Sequence, residues 1–430
     1  MIYNNHVINY HDFGYTLCII QQIIKIGGNK MKKILILVLV ISLLAGTLLA
    51  CTKDNGGPST DEPGTDKPGT DVPQGTSGMA EIVLITDKGN IDDKSFNQGA
   101  WEGVVEFAER ENITYNYIKP EDVSDDYYLQ AIDLAIEGGA KVVVTPGFLF
   151  EVAIYHAQDK YPDVKFILLD GAPRNADYSD FKTNPNVASI LYAEEESGYL
   201  AGYAAVMDGM TNLGFMGGMA VPAVQAFGYG YLQGAEDAAE ELGLDDGAIK
   251  AIYHYTGDFD ENDTNKATAS TMYQEGIEVI FACGGSVGKS VMSAAAEANA
   301  KVIGVDVDQR YDSETVITSA TKGLAASVVQ VLEAIYKTDS WEDFGGKTTY
   351  FNAVNDGVAL PTVVLDDANA DAFDRFEKFT MEQYEEVYQK LVDGTIDPIR
   401  EIEVEDATGY ATAEELTKAL NLKKVSVSTR

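Results

Sequence analysis

Residues 279–309 read VIFACGGSVGKSVMSAAAEANAKVIGVDVDQ. The apolar run 279–283 breaks at Gly284-Gly285, a helix is expected over 289–299, and a second apolar run follows at 301–305. Strand, turn, helix and strand in that order predict a parallel βαβ unit. The turn GGSVGKS resembles a phosphate-binding loop only superficially. Three residues separate Gly284 from Gly288, where that motif needs four.

The same alternation runs outward in both directions. Upstream, the periodicity predicts strands at 80–86, 113–118, 141–145 and 165–170, with helices at 95–110, 127–137 and 150–160 between them. Nearer the quoted unit it predicts strands at 212–216 and 249–255 and helices at 227–242 and 262–275. A helix rich in small residues, 194–207, lies between the two runs, and polar helices are expected at 380–391 and 411–420. The pattern is that of two similar α/β units joined by crossovers rather than one large sheet.

The N-terminal part has no such pattern. From Met31 the chain reads MKKILILVLVISLLAGTLLAC, with Lys32 and Lys33 ahead of an apolar run that ends at Cys51. The run is short for a membrane span and suits the core of a secretory signal. Its end, Leu48-Leu49-Ala50-Cys51, resembles a bacterial lipobox, which implies lipidation of Cys51 after removal of 31–50; a plain membrane anchor is the alternative. Residues 1–30 carry no start-like pattern. Gly27-Gly28 just ahead of Met31 resembles a translated ribosome-binding site, so Met31 is the expected start. Residues 51–78 repeat a short Asp/Pro/Gly/Thr unit and cannot bury a core, which makes them a tether.

Charge and cysteines narrow the function. The net charge of −37 comes from 31 Lys+Arg against 68 Asp+Glu, a field that repels phosphate backbones and argues against nucleic acid. Of Cys18, Cys51 and Cys283, only the last belongs to the folded part, so no disulfide framework is expected. Four histidines and the scattered cysteines give no metal-ligand spacing, and no cofactor is expected.

In open parallel sheets ligands bind beyond the carboxyl ends of the strands. Those ends carry residues 87–97 (DKGNIDDKSFN), Pro146-Gly147-Phe148, Gly217-Gly218-Met219, Gly284–Lys289 and Asp306-Val307-Asp308-Gln309. Carboxylates there suit sugar hydroxyls, and flat rings suit a planar base. Plainer readings stand beside these. Asp92, Asp93 and Ser95 can cap the helix that follows, Phe96 can belong to the core, and Gly284, Gly285 and Gly288 can simply form a tight turn. A carboxylate-bound metal activating water for nucleoside cleavage is a further alternative, and no nearby histidine completes such a site.

Several segments together resemble the basic membrane protein family of lipoproteins, also called purine nucleoside receptor A-like. They are ITDKGNIDDKSFNQGAWEGV (85–104), AEEESGYLAGYAA (193–205), GFMGGMAVPAVQAFGYGYLQGA (214–235), the 281–309 stretch and ITSATKGL (317–324). The resemblance implies a type I periplasmic-binding-protein fold, two Rossmann-like lobes with a hinge of three crossovers. The expected bounds are 79–190 with 318–355 for one lobe and 191–317 with 356–430 for the other. It implies a protein that closes on a purine nucleoside without hydrolysing it and delivers it to an ABC transporter permease; a monomer is expected, lipid-anchored through Cys51 on the outer face of the cell membrane. A receptor for another sugar-like solute, or one feeding a sensor, shares the same features. By resemblance, Phe96 and Phe227 sandwich the base, and Asp87 and Asn97 make polar contacts. Asp306 binds the ribose with Lys322 as its basic partner, and Gly285 and Gly288 let the backbone approach the sugar. One departure is Thr145-Pro146-Gly147, where relatives place a polar or acidic group; a neutral Thr145 cannot accept two bonds as a carboxylate does.

Overall fold

A computed structural model describes residues 80–365, 367 and 370–430. The expected signal, lipidation site and tether lie outside them. The chain starts with β1 (Ile82–Ile85), α1 (Phe96–Glu111), β2 (Tyr115–Ile118), α2 (Asp125–Glu137), β3 (Val142–Pro146), α3 (Glu151–Lys160), β4 (Lys165–Leu169) and β5 (Val187–Tyr192). It then crosses to α4 (Glu194–Met207), β6 (Asn212–Gly217), α5 (Pro222–Glu241), β7 (Ile249–Tyr255), α6 (Asp263–Gln274), β8 (Val279–Cys283), α7 (Val287–Ala298), β9 (Lys301–Asp306) and β10 (Val316–Lys322). A second crossing leads to α8 (Leu324–Tyr336) and β11 (Lys347–Phe351). A third leads to β12 (Val358–Ala359), α9 (Met381–Val392), α10 (Ala413–Ala419) and β13 (Val425–Thr429).

Two sheets result, in the orders β11-β5-β4-β3-β1-β2 and β12-β10-β9-β8-β6-β7-β13. All pairings are parallel except β10 with β12. Parallel strands covered by helices on both faces lose their alternation, and β1, β3 and β8 are accordingly buried at every position. The first sheet packs one face on α2 and α3, where Ile132, Phe150, Ile154 and Phe166 meet. The second packs one face on α6 and α7 through Met272, Ile280, Val291 and Val302.

The expected lobe boundary at 317/318 falls inside β10, which pairs with β9 as far as Thr321 opposite Asp306. The chain therefore changes lobes at Gly323, after the strand is complete. Helix α5 begins at Pro222 rather than near 227, because proline fits the first helical position, where its missing N–H costs nothing.

Helices α4 and α5 are in backbone contact. A Cβ on Gly202 would sit 1.9 Å from the carbonyl oxygen of Tyr231, and one on Gly198 2.1 Å from that of Phe227. Neither oxygen can retreat without moving a helix. Gly202→Ala is expected to destabilise the fold by at least about 3 kcal/mol, the upper end of ordinary overpacking. Urea denaturation checks this, and a loss under about 1 kcal/mol would mean that the helices separate easily.

Candidate functional site

The carboxyl ends of both sheets face one cavity of about 110 Å³. The first lobe contributes Asp87, Lys88 and Gly89 after β1, Phe96 and Asn97 at the start of α1, Gly147 and Phe148 after β3, and Asp170 after β4. The second contributes Val221–Val224 and Phe227 at the start of α5, Phe259 after β7, Cys283 at the end of β8 with Gly284–Ser286 after it, Asp306 on β9 and Lys322 at the end of β10. Of the residues singled out in the sequence, Asp87, Phe96, Asn97, Phe227, Gly285, Asp306 and Lys322 line this space. Gly288 does not. Helix α7 starts at Val287, so Gly288 already lies within its first turn, and a Cβ there would point at Gln309 and Met292.

The loop after β1 is held by its own side chains. Asp93 accepts hydrogen bonds from the backbone N–H groups of Ser95 (2.9 Å), Asn97 (3.0 Å) and Gln98 (3.1 Å), and so caps α1. Ser95 makes no capping bond; its hydroxyl donates across the cleft to Asp306 at 2.5 Å. Asp92 is exposed and accepts from Asn90. The amide of Asn97 donates to Asp87 (2.9 Å) and Asp93 (2.8 Å) and accepts from the Asp87 N–H (3.3 Å). Asn97 thus orients Asp87 and has little bonding capacity to spare. Asp87 also accepts from Gly89 N–H, at 2.9 Å. Burial pushes its carboxyl up to about 6; the bonds from Gly89 and Asn97 oppose that, and the Asp93 charge adds to it.

Gly147 is needed beside Asp87. Its φ of +119° is one that side chains rarely adopt, and a Cβ would lie 3.0 Å from Asp87 Oδ2. Thr145, which stands where relatives place a polar or acidic group, is fully buried and bonds the Ile167 carbonyl within the sheet at 3.3 Å. The carboxylates that the first lobe brings to this cavity are Asp87, Asp93 and Asp170.

At the back of the cleft stands Lys322. Its ammonium lies 2.5 Å from Asp170, 3.1 Å from Glu194 and 4.0 Å from Asp306. The rings of Phe96, Tyr192 and Phe227 lie 4.9, 5.3 and 5.3 Å away. Burial alone would strip its proton, but the three carboxylates outweigh burial and hold Lys322 above the usual lysine range. Burial raises Asp170 and Asp306, with Lys322 opposing in each case. Oδ1 of Asp170 is buried and accepts no hydrogen bond from the described residues. Asp306 holds a left-handed backbone, φ +66°, that a non-glycine residue adopts only under constraint.

Sequence reasoning missed Asp170, Glu194 and Phe259. Asp170 ends a strand without any motif, and Glu194 was read only as the start of a helix. The rim of the cavity adds contacts between the lobes: Lys88–Asp260 (2.9 Å), Gln309 to the Lys94 carbonyl (2.6 Å) and Lys289 to the Asp92 carbonyl (3.3 Å). Among the described residues, no group of three or more His, Cys, Asp or Glu is arranged to hold a metal ion, and no helix is long and apolar enough to cross a membrane.

Two parallel α/β lobes, linked by three crossings and facing each other across a cavity, define the periplasmic-binding-protein type of fold. Solved structures share the fold. An ABC transporter solute-binding protein from Aeropyrum pernix K1 matches with a TM-score of 0.64 at 24% identity, over 76% of this chain and 94% of that one. One from Conexibacter woesei DSM 14684 matches at 0.56 and 20% identity, over 75% and 99%. The profile of the family described as "ABC transporter substrate-binding protein PnrA-like" matches residues 80–402, and the chain belongs to that family. It is 31% identical over 331 residues to the ABC transporter nucleoside-binding protein BmpA of Lactococcus lactis subsp. cremoris, over 71% of this chain and 88% of the relative. It is 29% identical over 290 residues to basic membrane protein D of Borreliella burgdorferi, over 66% and 80%. The family is one of substrate-binding proteins.

Proposed function

We propose that the protein captures a nucleoside, with a purine the favoured base, between its lobes outside the cell and hands it to an ABC transporter permease while tethered through lipidated Cys51. The observation that carries the ligand is the pairing of two chemistries in one cavity. Phe96 and Phe227 both approach the Lys322 ammonium, while Asp87, Asp170 and Asp306 bring acceptors to the same space. Flat rings suit a base and carboxylates suit N–H groups and sugar hydroxyls. The same carboxylates disfavour a phosphate, so a nucleoside fits better than a nucleotide. The name of the Lactococcus lactis relative agrees with this class of ligand.

Binding works by closure: a ligand touching both lobes favours the closed state over the open one. The test is melting temperature against a panel of nucleosides, free bases and sugars, after unfolding, dialysis and refolding to strip any bound solute. A ligand that binds only the native state raises the melting temperature. A rise with inosine, guanosine or adenosine that Asp306→Ala abolishes supports the proposal. A rise with a simple sugar only keeps the fold and removes the ligand.

Asp87 gives the binding a pH dependence. A ligand N–H needs the ionised carboxylate, and the folded value stands near 6 against an ordinary 3.8. Nucleoside affinity is therefore expected to fall about tenfold per unit as pH drops below that value. The native fold itself responds with the opposite sign: proton uptake by Asp87 favours it at low pH, and that contribution is lost as pH rises through about 6. Asp87→Asn should flatten the acid limb of the affinity profile. An unchanged limb in that variant would assign it to another group.

A further inference from the structure

Outside the cavity, one side chain reaches its charges from behind. Residues 393–404 form no helix or strand, yet Ile399 is pinned on both sides: its N–H and C=O bond the Gln233 amide of α5 at 2.8 and 2.9 Å. This aims Arg400 at the start of α4. There its guanidinium lies 2.7 Å from Glu194 Oε2, 2.6 Å from Glu195 Oε2 and 2.7 Å from the Tyr192 carbonyl oxygen. Glu194 is shared, with Oε1 on Lys322 and Oε2 on Arg400. The chain Arg400–Glu194–Lys322–Asp170 thus leads from a quarter-exposed side chain to a carboxylate of the cavity.

The charges along it do not balance. Among the described residues, the cations that Asp170, Glu194, Glu195 and Asp306 face are Lys322 and Arg400 alone. The Tyr192 phenol adds no charge, Asp93 reaches the group through Asp306, and the buried Cys283 thiol, which faces Asp306, Lys322, Glu194 and Asp170, is held protonated by burial and adds none. With Arg400 in place, a second cation faces Glu194 at the oxygen that Lys322 does not contact. Without it, Glu194 draws wholly on Lys322 and repels Asp170 and Asp306. A like charge nearby holds a proton on a carboxyl.

We infer that Arg400 is a positioning residue for the ligand cavity: through Glu194 it keeps Lys322 shared with Asp170, which favours the ionised form of Asp170, the form able to accept a hydrogen bond from the solute. Only the last clause, acceptance from the solute, rests on the nucleoside reading. Arg400 contacts no cavity surface, and its effect is electrostatic rather than steric.

The test follows the Asp170 proton in the ligand-free full chain by pH-difference infrared spectroscopy, the band being assigned by its loss in Asp170→Asn. Arg400→Gln is expected to move the midpoint of that band upward by about one pH unit or more, and Arg400→Lys to restore most of it. Inosine affinity should fall in Arg400→Gln at neutral pH and recover as the pH is raised past the new midpoint. Should Arg400→Gln not fold, Arg400→Gln/Glu195→Gln, which also removes the second carboxylate at the guanidinium, replaces it with the same expectation. An unmoved midpoint in a folded variant overturns the inference. Absence of inosine binding in the unsubstituted protein would sink the nucleoside reading and leave the infrared result to decide this one.

Discussion

Lys322→Met is expected to destabilise the native state by about 3–5 kcal/mol, the cost of leaving buried carboxylates without their cation. Asp170, Glu194 and Asp306 all converge on that ammonium, and Lys322 and Glu194 are almost wholly buried. Methionine keeps much of the volume between Phe96, Tyr192 and Phe227, so packing contributes little to the loss. The sign with pH follows from the carboxyls. Burial already raises Asp170 and Asp306, and removing the cation raises them further. Their protonation relieves the unpaired charge, so the gap between variant and unsubstituted protein should narrow as pH falls. Urea denaturation at neutral and mildly acidic pH measures both numbers. A gap below about 1 kcal/mol would mean that water or a rearranged side chain replaces Lys322 at little cost.

The two cavity phenylalanines should part company when truncated. Phe227 is 2% exposed and meets Phe281 edge-on at 5.8 Å, so Phe227→Ala removes core as well as cavity wall and should cost about 3–5 kcal/mol of stability. Phe96 is only half-buried. Phe96→Ala should leave the fold much nearer its original stability and weaken nucleoside binding by about 10- to 100-fold, the loss of one base-stacking contact of roughly 1–3 kcal/mol. Denaturation and calorimetric titration on both variants separate the two effects. Equal loss of stability would place Phe96 in the core, the plainer of the two readings open from sequence.

Much of the α/β architecture was legible because parallel strands buried on both faces make short apolar runs. Val142–Pro146 and Val279–Cys283 need no partner to be recognised. The strands that escaped notice lie at edges or crossings. Val425–Thr429 has exposed positions and is a strand only because β7 lies beside it. Val316–Lys322 mixes threonine, serine and lysine, which blurred the lobe boundary. In the cavity, residues inside recognisable turns were found, Asp87, Phe96 and Gly285 among them. Those that act through distance were not. Ser95 looks like a helix cap, and only the fold brings Asp306 within reach of its hydroxyl. Arg400 stands in an irregular segment, and nothing local announces that it meets Glu194 from more than two hundred positions away.

The measurement closest to the central claim is calorimetric titration of the refolded protein with inosine, with its free base hypoxanthine, and with ribose. Rings and carboxylates that act together predict tight binding of the nucleoside and far weaker binding of either half, the preference being lost in Asp306→Ala. Ribose or another simple sugar binding as tightly as the nucleoside, or no binding of any nucleoside, would contradict the assignment of the cavity.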